Sequence, residues 1–133
     1  MKFSEQEHRQ LSLWAALCAE HVLEYFEEKY PDDNRTHIAI EAARAWARGE
    51  IKITDARIAA LAAHSAALAT TDKMAQFAAR AAGHAAATAH VATHSLHAAE
   101  YARKAADTAG LVDERDWQMQ RLPVRLRKKT SPA

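Results

Sequence analysis

Apolar positions recur at intervals of three and four along almost the whole chain, which is the period of an α-helix with one buried face. Leu11, Trp14, Cys18, Val22 and Tyr25 make the first stripe, widened by Leu17 and Phe26. Ser4 followed by Glu7 is a capping-box pattern, so this helix is predicted from Ser4 to about Glu28. Pro31, Asp32, Asp33 and Asn34 form a turn; a second helix follows from about Thr36 to Arg48, closed by Gly49. Thr54 caps a third helix whose inner stripe is read as Ile58, Leu61, Ser65 and Leu68, flanked by His64, and Thr71 and Asp72 end it. Met74, Phe77, Ala81, His84, Thr88 and Val91 share the next stripe. Leu96 falls off that stripe, so a break is placed near Ala92, with Thr93 capping a fifth helix that runs to Gly110. Asp113 caps a sixth, short helix to Gln120, and Pro123 stops it.

These elements predict an all-α chain: one domain over residues 1–127, built as a compact bundle of five to six antiparallel helices, with a flexible basic tail over 128–133. Composition sharpens the picture. About a quarter of the residues are alanine, and three glycines with three prolines are too few for a turn-rich β protein. With few large apolar residues, the core must be built by close approach of helices. Gly83 inside a helix costs about 1 kcal/mol relative to alanine, which points to a compensating close contact. Ala79, Gly83 and Ala87 form a smooth strip that suits another helix of this chain or a second copy in a homodimer.

The single cysteine, Cys18, rules out a disulfide framework and fits a reducing cytoplasm. The charged N-terminus lacks a signal-peptide core, and no stretch approaches the ~18 apolar residues of a membrane span, so neither export nor a membrane partner is expected. The net charge of +1 hides two poles: Met1 to Asp33 carries −5 and Arg121 to Ala133 carries +5. The basic segment lacks interleaved aromatics or a helix-turn-helix, so it reads as a solvated terminus rather than a nucleic-acid site. The acidic residues Glu20, Glu24, Glu27, Glu28, Asp32 and Asp33 are a candidate partner-binding face, whose charge could mimic that of a nucleic acid.

Four of the eight histidines lie in the central stretch. His90 and His94 are four apart, a spacing that lets two imidazoles hold one metal from one helix face, and His97 extends the set. No glutamate of an HExxH pattern accompanies them, and a break near Ala92 turns His90 away. Glu5-x-x-His8 is the only instance of the pair that a di-iron bundle needs twice. His64 and His84 read as core histidines with buried partners, Glu41 or Arg44 among the candidates. No glycine-rich phosphate loop, nucleophile elbow or nucleotide fingerprint is present, so neither an enzyme nor a cofactor is expected.

HIAIEAARAWARGEI at His37 to Ile51 and AARAAGHAAATAHVATH at Ala78 to His94 resemble the helical putative immunity protein family of bacterial polymorphic toxin systems. The likeness takes in LWAALCAEHVL at Leu13 to Leu23, AALAAHSAALA at Ala59 to Ala69 and WQMQRLP at Trp117 to Pro123. Within it, Glu41, Arg44, Trp46, His64, His84, His90 and His94 match the family's residue types. The chain departs from the pattern at Thr36 and His37, where such proteins tend to carry proline and arginine, and at Ala92, where proline is common. The resemblance implies a non-catalytic protein that binds a cognate toxin domain and blocks it.

Overall fold

Ser4 and Glu7 form the capping box that their spacing predicts: Ser4 Oγ accepts from the Glu7 amide at 3.1 Å, and Glu7 Oε1 accepts from the Ser4 amide at 2.9 Å. From that start the computed structural model, which describes residues 2–130, forms eight α-helices and no strand. They are α1 (Glu5–His21), α2 (Glu24–Glu27), α3 (Arg35–Ala47), α4 (Ile53–Leu68), α5 (Lys73–Ala87), α6 (His94–Thr108), α7 (Glu114–Arg121) and α8 (Val124–Thr130). Among the described residues, no helix is long and apolar enough to cross a membrane.

Eight helices rather than five or six arise at two places. The first predicted helix divides after His21, where the Val22 and Leu23 amides bond three residues back instead of four. This tightened turn lets Val22, Leu23 and Phe26 all reach the core. The chain expected to be flexible from Lys128 is helical to Thr130, because Leu126 is fully buried and Lys129 Nζ reaches Glu7 Oε1 at 2.9 Å; residues 131–133 of that tail lie outside the described residues. The break near Ala92 is present, and α6 starts after Thr93, although the threonine side chain makes no capping bond. Lys52, not Thr54, is the N-cap of α4, and its amide donates to Asp55 Oδ2 at 3.1 Å. Gly49 and Gly110 both take positive φ, +77° and +85°, where they end α3 and α6 as left-handed caps.

α5 lies at the centre, packed against α1, α2, α3, α4 and α6. Ala75, Ala78, Ala79, Ala81, Ala82, Gly83, Ala85 and Ala86 are all buried on it. Of the stripe read from Met74 to Val91, Ala81 and Thr88 are fully buried, Met74, Phe77 and His84 form a half-buried edge, and Val91 is exposed. α4 departs further from expectation. Its buried face is Ala56, Ala59, Ala60, Ala63, Ala66 and Ala67, whereas Ile58, Leu61 and Leu68 are 68%, 67% and 73% exposed. Alanine is turned inward because side chains without bulk allow two helix axes to approach, and close-packed interiors leave no room for a larger residue between them. At the far end, fully buried Gln118 ties three elements together. Its carbonyl oxygen accepts from Trp14 Nε1 at 2.8 Å, its Nε2 donates to the Ala99 carbonyl at 2.9 Å, and its Oε1 accepts from Arg103 Nη1 at 2.9 Å.

Ala63→Leu or Ala78→Leu should therefore destabilise the chain by about 1–3 kcal/mol through overpacking. Chemical denaturation with an unchanged m-value would show it, and a loss below about 0.5 kcal/mol would contradict the close contact.

Candidate functional site

Two groups of polar side chains stand out on this scaffold: a histidine cluster where α4, α5 and α6 meet, and an acidic end formed by α2 and the turn after it. Gly83 creates the first. A Cβ at this position would lie 2.6–2.8 Å from atoms of the His64 imidazole, so the ring occupies space that only glycine leaves free. The smooth strip on α5 is thus taken up inside the chain, by His64 of α4, and is not free for a second copy.

The His64 and His84 rings meet edge to face with centroids 4.9 Å apart. His84 also faces His94 at 5.2 Å, His97 at 5.3 Å and Tyr101 at 5.3 Å, the last in a parallel stack. Arg80 Nη1 donates to His64 Nδ1 at 3.1 Å, which places the His64 proton on Nε2. Nδ1 of His84 and Nδ1 of His94 lie 3.1 Å apart, so one nitrogen donates and the other accepts, which requires the accepting ring to be neutral. Burial pushes the pKa of His84 down from 6.5 to about 3, with neighbouring His64, His94, His97 and Arg80 adding to the shift. His64 and His94 are lowered too, again chiefly by burial.

Of the three histidines read as metal ligands, His94 and His97 enter this cluster, whereas His90 is exposed in the turn between α5 and α6 and borders a cavity of about 220 Å³ with His64 and His94. Among the described residues, no group of three or more histidine, cysteine or carboxylate side chains is placed to hold a metal ion. None of the four clustered imidazoles hydrogen-bonds a serine or cysteine. Cys18 is buried, and its thiol is pushed out of the ordinary range by desolvation, so it is an inert core residue.

Of the seven residues that match the family's types, the five besides His90 and His94 separate into three places. Glu41 and Arg44 lie away from His84, on the side of α3 that meets α1. Arg44 holds Glu20 through two bonds of 2.9 Å and Glu41 through one of 3.0 Å. That pairing holds the Glu20 carboxyl below its usual range. Trp46 packs against His8, with ring centroids 4.6 Å apart, and lies under the Arg9 guanidinium. Arg9 Nη1 also donates to the Trp46 and Ala47 carbonyls at 2.8 and 3.3 Å, capping α3. His64 and His84 meet at the third place, the histidine cluster.

At the acidic end, two of the six candidate carboxylates are occupied. Glu20 is held by Arg44, and Asp33 is held by the Arg35 side chain at 2.7–3.2 Å and by the Arg35 amide at 3.1 Å. Glu24, Glu27, Glu28 and Asp32 are exposed and have no ion-pair partner among the described residues. Asp32 and Asp33 border an open hollow of about 500 Å³ with Tyr30 and Arg35. A second junction escaped sequence reasoning: buried Glu114 of α7 binds His21 Nδ1 at 2.8 and 2.9 Å, while His21 stacks on Trp117 at 3.6 Å. Its two sides are 93 residues apart, and no local pattern links them.

Two predictions test the histidine cluster. Gly83→Ala in a His64→Ala background should stabilise the chain by up to about 1 kcal/mol, the helix-propensity gain, and this gain should vanish when His64 is present; a double-mutant cycle with no coupling would reject the contact. An unfolded histidine protonates near pH 6.5, but folded His84 does so only near pH 3, so the unfolded state binds more protons between those limits and stability falls as pH drops through them. Thermal unfolding from pH 7 to pH 5 should show that fall, and His84→Gln should remove much of it; an equal fall in both proteins would contradict the assignment.

The family described as Imm-5 like putative immunity protein matches residues 1–125. No curated protein and no solved structure matches the chain.

Proposed function

Because the chain belongs to the Imm-5 like putative immunity protein family, we propose that it binds a cognate toxin domain of a bacterial polymorphic toxin system and blocks it by occlusion, without catalysis. In this reading it acts in the cytoplasm of the cell that makes the toxin. One observation carries the choice of surface: Glu24, Glu27, Glu28 and Asp32 stand together on α2 and its following turn, exposed and uncompensated. A block of like charge held on a rigid scaffold raises the association rate with a basic partner and costs the fold little, because solvent screens it. A toxin that acts on nucleic acid presents such a basic surface. Glu20 and Asp33 do not belong to the contact in this reading, since their charges are already answered by Arg44 and Arg35.

Capture of a toxin domain by this chain, co-expressed with the products of its neighbouring genes, is the direct test. With that partner in hand, the Glu24→Lys, Glu28→Lys double variant should associate on the order of tenfold more slowly at low salt and lose most of its salt dependence, at unchanged thermal stability. Unchanged association kinetics would move the contact to another face.

A further inference from the structure

The outward stripe of α4 is used neither by the core nor by the acidic end. Ile58, Leu61 and Leu68 expose two-thirds or more of their surface, and together with Ser65 they follow steps of three, four and three. That spacing is the seam of a two-helix coiled coil, in which each side chain enters a gap between residues of a facing helix. We propose that α4 pairs with α4 of a second copy of this chain, antiparallel about a two-fold axis. The register that uses all three large side chains sets Ile58 against Leu68 of the second copy and Leu61 against Ser65, so that a large residue faces a small one at the centre.

Charge favours a second copy as the occupant. Asp55 and Arg57 are the only acidic and basic residues of α4, both near its start, and its last turn has no basic residue of its own. In the antiparallel register Arg57 lies opposite Ala69 of the other copy, beside the negative end of that helix's dipole, and the two-fold repeats this contact. Within α4 like charges do not meet, since Asp55 and Arg57 both lie near its start and the antiparallel register sets the two starts at opposite ends of the pair. The three aliphatic side chains present roughly 400 Å², a patch size that on a monomer marks an interaction site. This is about half of the ~800 Å² that each partner buries in a standard interface.

The proposal is independent of the toxin reading, whose acidic residues lie on α2 and the turn after it. Sedimentation of the untagged full chain over a range of concentrations should show a dimer, and Leu61→Glu should raise its dissociation constant by at least about a hundredfold at unchanged helical content. Leu68→Lys should act alike from the other end of the seam. A mixture of Leu61→Cys and Ser65→Cys chains should cross-link on mild oxidation more readily than either alone, which tests the register; buried Cys18 takes no part. A wild-type chain that is monomeric at several hundred micromolar, or a dimer indifferent to Leu61→Glu, would overturn the proposal. So would a monomeric chain whose toxin capture is lost on Leu61→Glu, because the stripe would then belong to the toxin contact.

Discussion

How closely other helices approach α5 governs the rest of the structure. Five helices pack on it, and its buried residues are alanine or glycine without exception. Alanine brings no side-chain entropy cost on folding, so each buried position gains contact without losing rotamers. What it lacks is area, and the shortfall is made up by bringing backbones near enough for dispersion contacts along the full length of the pair. The larger core residues, Leu11, Phe26, Ile40, Leu122 and Leu126, all lie outside α5.

The histidine cluster follows from this arrangement. A helix whose neighbours are so near can carry bulk only along the edge between them, and on α5 that edge holds Phe77, Arg80 and His84. His64 fits above Gly83 because no side chain rises there, and the rings of α6 close the far side. The imidazoles of His64, His84 and His94 are left half-buried with one another for company, and exposed His97 closes the rim. Neutral rings satisfy one another by sharing protons, whereas charged ones would have to be desolvated beside Arg80 and beside each other.

The sequence made much of the helical layout legible, and the reasons for the misses are physical. Capping chemistry is local, so Ser4 with Glu7, Gly49 and Gly110 marked their ends correctly. The slip of register at Leu96 located the break before α6. The inner face of α4 is not legible because both of its faces repeat at the helical period, and the larger side chains, which point inward in most proteins, here point outward. The division of the first helix after His21 has no glycine or proline to announce it. At the acidic end the charges were visible but their pairing was not: Arg44 reaches Glu20 across 24 residues, which only the packing of α1 on α3 brings together. The family pattern named residues that lie in separate places, because a sequence match records position and not neighbourhood.

A core made of alanine also reshapes the mutational landscape of the protein. Truncation, the usual probe of a core, has almost nothing to remove from α5 or from the inner face of α4, so a scan of substitutions to alanine would pass over the positions that matter most. Apart from glycine, every amino-acid replacement that one base change makes in an alanine codon adds bulk, adds charge or introduces proline. Genetic drift at these sites is thus penalised in one direction, towards enlargement, while the outer faces of the same helices vary without that penalty. A scaffold of this kind can keep its shape through rapid turnover of its surface, the circumstance in which a binding protein must follow a changing partner.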